Sequence, residues 1–410
     1  MNGLDVVGVP AGGWSELGET ARTLIGAAEV LIGGRRHLDL VPPEAGTAER
    51  RTWPSPLRAG LPRLLDECGE RRTVVLASGD PLVSGIATTL IELLGPDTVR
   101  VHPAVSSVAL ACSRMSWDSA TARVVTVVGR ELDLVRRELA PGQRLIVLSS
   151  DSSTPAALAE LLDGAGYGPS TLTVLSDLGA PTEGRTQTTA TAAEGLSDVS
   201  PLNLVAVECA AAPGTSLLGF GPGLPDDAYD HDGQLTKRDL RASALSRLAP
   251  GPGELLWDLG AGAGSIAIEW ARSDPRCRAI AVDRTPDRAT RISANAARLG
   301  VPGIQVITAD VVESIDWLPQ PAAVFVGGGA DLDLLRRCWH LLPAGGRLVA
   351  HAVTVETEQV LLEAWRAFGG ELVRIAVERL EPLGSFAGWK PSRAVVQWAA
   401  VRATTDGPPS

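Results

Sequence analysis

The chain has 410 residues, of which 45% are hydrophobic and 21% charged, a composition typical of globular proteins and not of disordered or collagen-like chains. At about 150 residues a domain, this length predicts two or three domains. The formal net charge of −11 argues against nucleic acid or an anionic membrane surface as a partner.

The cysteines and the N-terminal residues indicate in which cellular compartment the protein is expected. The five cysteines are scattered without the paired spacing of zinc or redox sites, so the sequence predicts reduced thiols and no metal site. The N-terminal residues lack the basic and apolar stretches of a signal peptide, and no apolar run reaches the ~18 residues of a membrane-spanning helix. We therefore expect a cytoplasmic protein with no membrane partner.

In the first part of the chain, short aliphatic runs alternate with amphipathic helical stretches, which predicts α/β architecture with largely parallel sheets. The predicted strands are 4–9, 30–33, 74–77, 99–102, 124–128, 145–148, 172–175 and 202–207. The predicted helices are 15–28, 57–69, 84–94, 107–113, 155–165 and 192–196. These elements suffice for two α/β lobes that divide near residues 116–123.

A change of composition separates this part from the next. Residues 211–234 are rich in glycine, proline and aspartate without sustained periodicity, which is typical of a linker. The linker would join a domain over residues 1–210 to a second over 235–403. The last residues, 404–410, are small and polar, and we expect a disordered tail there.

The second part shows a more regular alternation. The predicted strands are 254–259, 278–282, 304–308 and 323–326, then 347–351, 372–378 and 394–401. The predicted helices are 236–249, 265–272, 286–299, 332–342 and 356–368, with a short one after 308. This order predicts a doubly wound sheet of about seven strands, which binds ligands at the carboxyl ends of its strands.

A glycine-rich loop follows the first strand of this sheet and opens a helix. Its pattern is Asp-x-Gly-x-Gly-x-Gly, whereas a dinucleotide site favours G-x-G-x-x-G. Asp283 ends the next strand, where a carboxylate can accept hydrogen bonds from both hydroxyls of a ribose. The pattern resembles motif I of class I S-adenosylmethionine-dependent methyltransferases, and an NAD site or a purely structural turn is the alternative. The resemblance implies that the cofactor is bound by Asp258, Gly260, Ala261, Gly262, Ala263, Gly264 and Asp283, with Asp258 near the cationic methionine moiety.

Two further strand ends match positions that this family uses. Asp310 and Val311 follow the third strand, where the family contacts adenine, although an aspartate there is equally suited to cap a helix. Gly327 and Gly328 follow the fourth strand, where a substrate would face the methyl group. The alternative for these glycines is that they only shape a turn.

The residues that begin the second domain read Leu-Thr-Lys-Arg-Asp-Leu-Arg over 235–241. Thr236 is predicted to cap the helix that follows. The segment also resembles the "LTK-x-x-x-R" opening of the decarboxylating precorrin methyltransferases of cobalamin biosynthesis. That resemblance implies that Thr236 approaches the cofactor and that Lys237, Arg238 and Arg241 bind the substrate. A solvated helix face is the alternative for these cations.

In the first domain, Ser-Gly-Asp-Pro over 78–81 resembles the "SGDP" signature of the tetrapyrrole methylases, with further matches at 32–38, 103–107 and 180–183. The resemblance implies that Gly79, Asp80, Ser106 and Ser107 bind S-adenosylmethionine. It also implies that Arg35 and Arg36 hold substrate carboxylates, with a surface-exposed loop end as the alternative. The first glycine loop departs from the family because Pro10 removes an amide donor.

The order of a two-lobed tetrapyrrole methylase domain before a class I domain resembles the bifunctional precorrin methyltransferases. The resemblance implies two methyl transfers from S-adenosylmethionine to ring carbons 5 and 15 of a tetrapyrrole. It also implies loss of CO2 from the acetate on carbon 12, giving precorrin-8X. We expect the protein to be a homo-oligomer. No proton-transfer residue is assigned, with His231 and His351 the only candidates.

Two other classes of function remain open at this level. One is a generic class I small-molecule or RNA methyltransferase with an accessory N-terminal domain. The absence of a basic and aromatic stripe argues against RNA. The other is a non-catalytic tetrapyrrole-binding protein, which the altered first loop would permit for that half.

Overall fold

The computed structural model describes residues 3–193, 196 and 198–403. The chain divides into two units. The first runs to Arg130 and resumes over Pro141–Thr215, and the second comprises Glu131–Ala140 and the chain from Ser216 onward. The predicted tail 404–410 and part of the predicted helix 192–196 lie outside the described residues.

The first unit begins with a five-stranded sheet in the order β3-β2-β4-β1-β5, with every pair parallel. Its strands are β1 (Leu4–Val9), β2 (Val30–Gly33), β3 (Glu49–Thr52), β4 (Thr73–Ser78) and β5 (Val99–His102). Its helices are α1 (Glu19–Gly26), α2 (Arg35–Asp39), α3 (Leu57–Cys68), α4 (Ile86–Leu94) and α5 (Ser107–Met115). The central strands are buried on both faces, which explains their continuous aliphatic runs.

The second sheet of this unit is mixed. Its strands are β6 (Ala122–Thr126), β7 (Arg144–Leu148), β8 (Thr171–Ser176), β9 (Gly184–Thr189) and β10 (Asn203–Glu208), with helix α6 (Thr154–Leu162). The order is β6-β7-β10-β8-β9, and only β6 and β7 pair in parallel. The prediction of largely parallel sheets is therefore wrong here, since aliphatic runs do not report strand direction.

The second unit contains a seven-stranded sheet in the order β13-β12-β11-β14-β15-β19-β16, and a separate hairpin of β17 and β18. The strands are β11 (Leu255–Leu259), β12 (Arg278–Asp283), β13 (Gln305–Thr308), β14 (Ala323–Val326), β15 (Arg347–Ala352), β16 (Glu371–Ile375), β17 (Glu378–Leu383), β18 (Phe386–Pro391) and β19 (Val395–Val401). The helices are α7 (Arg238–Leu248), α8 (Ser265–Ser273), α9 (Pro286–Arg298), α10 (Val311–Ser314), α11 (Leu332–Leu341) and α12 (Val355–Phe368).

The strand order of this sheet determines where a ligand can bind. From β11 the chain first adds β12 and β13 on one side and then crosses to β14 and β15 on the other. The crevice between β11 and β14, at the carboxyl ends of the strands, is therefore a topological switch point. The helices that follow β11, β12 and β13 begin at that same edge.

Most of the predicted linker 211–234 belongs to the second unit, which resumes at Ser216. Leu224 and Tyr229 are buried in its core. The amides of Gly223 and Leu224 donate to the Glu269 carboxylate of α8 at 2.6 and 3.0 Å. Glycine and proline indicate irregular backbone, and this segment is irregular yet packed. No helix in the described part of the chain has the length and apolar character needed to cross a membrane.

Candidate active site

The glycine-rich loop connects β11 to α8 in a backbone conformation that glycine favours. Gly260, Gly262 and Gly264 have φ angles of +73°, +60° and +75°. A Cβ on Gly262 would lie 2.7 Å from the carbonyl oxygen of Gln234. The loop therefore packs directly against the segment that precedes α7, and it leaves backbone groups facing the crevice.

Asp283 fixes this loop from the neighbouring strand. Its Oδ2 accepts a hydrogen bond from the Gly262 amide at 3.0 Å, and its Oδ1 accepts one from the Thr285 amide at 2.9 Å. The residue is buried and lines the crevice. A carboxylate held by two amides keeps acceptor capacity for a ligand, because each oxygen has more than one lone pair.

The crevice is a cleft of about 900 Å³, within the range of small-molecule sites. It gathers many of the predicted residues from separate elements. They are Thr236, Lys237, Gly260, Ala261, Gly262, Asp283, Asp310, Val311, Gly327 and Gly328. Asp310 also caps α10, since its Oδ1 accepts from the Val312 amide at 2.8 Å. Asp310 therefore both caps α10 and lines the cleft.

Three predicted cofactor residues lie behind the loop and do not line the cleft. Asp258 is buried, and its Oδ2 accepts from the Ala267 amide at 3.0 Å, so it anchors α8 instead of facing a methionine moiety. Burial raises the pKa of the Asp258 carboxyl to about 7. Ala263 donates its amide to the Gln234 carbonyl, and a Cβ on Gly264 would meet Ile292 at 2.7 Å. These residues support the loop from beneath.

Arg241 is the clearest correction among the predicted substrate cations. Its side chain is fully buried, and its Nε donates to Oε1 of Glu269 at 2.6 Å. Its Nη1 also pairs with Asp226 at 3.1 Å, and its guanidinium carbon Cζ lies 4.7 Å from the centre of the Tyr229 ring. Every branch of the guanidinium is engaged within the core, so it cannot bind a substrate in the cleft.

Two other expectations at this segment also fail. Arg238 is exposed and does not line the cleft. Helix α7 begins after Lys237, which makes no side-chain capping bond, so Thr236 does not cap it. The Thr236 carbonyl instead accepts from Arg241. A lysine in the capping position leaves the first amides of α7 without a side-chain acceptor.

Several residues of the cleft were not assigned from the sequence. Arg284 follows β12, whereas Arg379 and Arg393 lie in and beside the hairpin of β17 and β18. Arg379 pairs with Asp239 of α7 at 3.0 Å. His351, considered only for proton transfer, lies in the wall formed by β15. The arginines are ordinary in their local sequence, so no motif signals them.

In the first unit, the Ser-Gly-Asp-Pro turn meets two other loops. Gly79 has a φ of +50°, and a Cβ there would lie 2.8 Å from the Val105 carbonyl oxygen. A Cβ on Gly8 would lie 1.9 Å from the Gly79 carbonyl oxygen. Glycine is therefore required where the ends of β1 and β4 and the residues before α5 meet.

The polar residues around this turn also hold its backbone. Asp80 accepts from the Leu82 amide at 2.9 Å, and Ser106 caps α5 by accepting from the Ala109 amide at 3.1 Å. Ser107 is the first residue of α5. Arg36 donates to Ser78 Oγ at 3.0 Å, so it lies beside the turn. Arg35, the first residue of α2, is exposed.

The two halves of the chain match two families. Residues 4–194 match the tetrapyrrole (corrin/porphyrin) methylases, and residues 227–402 match the precorrin methyltransferase domain. The chain is 45% identical over 397 residues to the precorrin-6Y C(5,15)-methyltransferase [decarboxylating] of Sinorhizobium sp, covering 97% of this chain and 95% of that one. The chain belongs to the family of decarboxylating precorrin-6Y C(5,15)-methyltransferases.

Two further relatives of this family are similar to the chain. The protein of the same name from Mycobacterium tuberculosis (strain CDC 1551 / Oshkosh) is 43% identical over 400 residues, covering 97% of this chain and 99% of that one. The solved C-terminal domain of the Rhodobacter capsulatus precorrin-6Y C5,15-methyltransferase is 41% identical, with a TM-score of 0.43. It covers 45% of this chain and 100% of that one.

Membership in the precorrin-6Y C(5,15)-methyltransferase family confirms three predictions. The fold class is a tetrapyrrole methylase domain followed by a class I domain, the enzyme class is a C-methyltransferase, and the pathway is cobalamin biosynthesis. The alternatives of an RNA methyltransferase and of a non-catalytic binding protein are therefore set aside. The family also implies a methyl donor and a precorrin substrate.

Proposed function

We propose that the chain methylates precorrin-6B at carbons 5 and 15 and decarboxylates the acetate on carbon 12, with S-adenosylmethionine as the methyl donor in both units. The second unit would decarboxylate and methylate once, and the first unit would add the other methyl group. The main support for this proposal is that the cleft of the second unit has two sides, one suited to the methyl donor and the other to the substrate. Asp283, Asp310 and the glycine loop lie at β11–β13, whereas His351, Arg379 and Arg393 lie on the side of β14–β19.

The residues on the first side of the cleft fit S-adenosylmethionine. Gly260 and Gly262 line the cleft with backbone alone, so a ligand would approach this wall without meeting a side chain. Asp283 would accept from the ribose hydroxyls, and Asp310 and Val311 would meet the adenine. Bound there, S-adenosylmethionine supplies a methyl group on a positively charged sulfur, which an electron-rich ring carbon can attack.

The protein's own contribution to methyl transfer is alignment and exclusion of water. Gly327 and Gly328 line the cleft without side chains of their own, which would let a flat macrocycle approach the donor side. Leu259, Val326 and Val395 provide apolar walls there. These features hold the reacting carbon near the donor without offering a competing nucleophile.

Cations around the cleft suit a substrate that carries many carboxylates. Lys237, Arg284, Arg379 and Arg393 line the cleft from four separate segments. Arginine binds carboxylates through two parallel hydrogen bonds, which orients the substrate as well as attracting it. Arg284, Arg379 and Arg393 replace Arg238 and Arg241 as the proposed substrate cations, and Lys237 is retained.

For the first unit, the proposal places a second donor site at the Ser-Gly-Asp-Pro turn. The meeting of Gly8, Gly79 and the residues before Ser106 supports it, because backbone again forms the surface. Arg36 would hold a substrate carboxylate beside this turn. A homo-oligomeric state and a cytoplasmic location remain predictions.

The test uses the full chain with precorrin-6B and S-adenosylmethionine, and the mass of the product is measured. Two added methyl groups and the loss of one CO2 are expected. Gly262→Val should abolish decarboxylation and one methylation, whereas Gly8→Val should abolish only the other methylation. Gly303→Ala is the matched control, since nothing lies within 4 Å of a Cβ there. If Gly8→Val lost both methylations while the donor site of the second unit stayed intact, the assignment of one methylation to each unit would be contradicted.

A further inference from the structure

His351 stands apart from the other histidines because it combines burial with a place in the cleft wall. It is only 4% exposed, and it lies on β15 directly opposite Gln397 of β19. Its ring lies nearly perpendicular to the Phe325 ring of β14, at 86°, with 5.0 Å between ring centres. The side chain is therefore held in one orientation by the two neighbouring strands.

Gln397 determines which ring nitrogen carries the proton. The orientation of its amide is assigned from the groups around it: with the oxygen turned towards the neighbouring donors, it accepts from Ser243 Oγ at 3.2 Å and from Nε and Nη1 of Arg247 at 3.1 and 3.2 Å. With the oxygen surrounded by these donors, the amide nitrogen lies 2.9 Å from His351 Nε2 and donates to it. An imidazole that accepts at Nε2 carries its proton at Nδ1.

Nδ1 is the nitrogen that remains for the cleft. Nδ1 has no hydrogen-bond partner among the described residues and keeps some exposure to solvent. His351 lines the cleft, so Nδ1 is available to a ligand there. The charge of Arg247, which is itself paired with Glu371 at 2.8 Å, acts on the ring. Burial, with a smaller contribution from the Arg247 charge, lowers the pKa of His351 to about 4, so the ring is neutral at pH 7.

We propose that His351 is a positioning residue whose neutral Nδ1–H binds the substrate carboxylate that is lost as CO2, while the cations of the cleft bind the carboxylates that are retained. This inference rests on the proposed function of the second unit. Its basis is the position of His351, an uncharged donor fixed in the wall formed by β15, in a cleft that Lys237 and several arginines also line.

The chemistry of decarboxylation favours such an arrangement. The C–C bond to the carboxyl carbon breaks, its electron pair enters the conjugated ring, CO2 leaves, and a proton from water completes the new methyl group. Negative charge leaves the carboxylate as the bond breaks, so a cation on that carboxylate would stabilise the ground state more than the transition state. A neutral donor orients the group without this cost.

The first test measures the proton position without any reaction. Nitrogen-15 spectra of the histidine rings report which nitrogen is protonated, and the chain has only five histidines. His351 should be neutral with the proton on Nδ1 at pH 7. In Gln397→Glu a carboxylate would accept from Nε2, and the proton should move there. A proton on Nε2 in the unaltered protein would overturn the proposal.

The second test measures CO2 release and methyl transfer separately in the full chain. His351→Leu should lower CO2 release about tenfold relative to methyl transfer, as expected for one lost hydrogen bond to a charged group. His351→Gln keeps a neutral donor and should recover part of it. His351→Arg should lower both KM and kcat for decarboxylation. His340→Gln, an exposed histidine of α11, is the control.

The results of these tests distinguish failure of the proposed role of His351 from failure of the proposed function of the second unit. An unchanged ratio of CO2 release to methyl transfer in His351→Leu, with the donor still bound, would overturn the role of His351 alone. Absence of CO2 release in the unaltered protein would overturn the proposed function instead. The nitrogen-15 result stands in either case, because it requires no substrate.

Discussion

Arg241 and Glu269 form an ion pair inside the second unit, with 2.6 Å between Nε and Oε1 and with both side chains almost completely buried. Tyr229 and two backbone amides also donate to the same carboxylate. The pair joins α7 to α8 and to the segment before α7. It therefore stabilises the base on which the glycine loop and the Thr236 segment rest.

Removal of Arg241 should destabilise the second unit. Arg241→Met leaves the buried Glu269 charge without its cation, which costs about 3–5 kcal/mol for a buried pair. Urea unfolding of the full chain, followed by tryptophan fluorescence, should show the second unit unfolding at lower denaturant. Arg238→Met, an exposed change at the same helix end, is the control and should unfold like the unaltered protein. Unchanged stability of Arg241→Met with weakened substrate binding would restore Arg241 as a substrate residue.

The example of Arg241 shows why the sequence predicted the sheet better than the site. The strands and the glycine loop depend on local patterns: buried aliphatic runs, glycine spacing and an acidic residue at a strand end. The partner of Arg241 lies 28 residues away on another helix. The sequence pattern around a helical arginine is the same whether its side chain faces solvent or pairs with a buried carboxylate. Only the packed structure distinguishes the exposed arginine from the buried one.

The elements that the sequence missed have few buried side chains. Strand β3 is mostly exposed and charged, β9 is a polar edge strand, and the residues of β17 and β18 are nearly all exposed. None of these four strands has the alternation of apolar and polar residues in its sequence that predicts a half-buried strand. Because Arg379 lies on β17, the missed hairpin also concealed a cation of the cleft.

Asp283 should control donor affinity in the second unit. Asp283→Ala removes the acceptors that hold the Gly262 and Thr285 amides and those proposed for the ribose. Affinity for S-adenosylhomocysteine at this site should fall about tenfold or more, since hydrogen bonds to a charged group are involved. Calorimetry on the full chain should still show the site of the first unit. Asp287→Ala, at an exposed position of α9, is the control, and equal affinity in both variants would refute the placement of the ribose.

Gly262→Val should block the same site through the backbone. The added Cβ would lie 2.7 Å from the Gln234 carbonyl oxygen at a φ of +60°, so the loop must move. We expect loss of donor binding at the second unit with an intact first unit. Gly328→Ala offers a comparison, because nothing lies within 4 Å of its Cβ and the change only narrows the cleft. Full donor binding by Gly262→Val would contradict the close packing of the loop.

The cations of the cleft should act on substrate binding and not on the donor. Arg393→Gln and Arg379→Gln remove proposed partners of substrate carboxylates, so KM for the precorrin should rise severalfold while donor affinity stays unchanged. The effect should shrink at high ionic strength, because salt screens exposed charges. Lys390→Gln, on the same hairpin but outside the cleft lining, is the control. A fall in kcat with unchanged KM would exclude a carboxylate-binding role.

Asp258 should make the stability of the second unit depend on pH. Burial raises the pKa of its carboxyl from 3.8 to about 7, so the stabilising protonated form is fully present below pH 3.8 and is lost as the pH rises through 7. The difference of about three pKa units corresponds to about 4 kcal/mol. Asp258→Asn keeps an acceptor for the Ala267 amide without a charge, so it should be more stable than the unaltered protein at pH 8 and similar at pH 4. Urea unfolding at both pH values measures this, with each variant compared at the same pH so that the opposing titrations of His37 and His351 cancel. An equal gain at both pH values would show that Asp258 is ionised throughout.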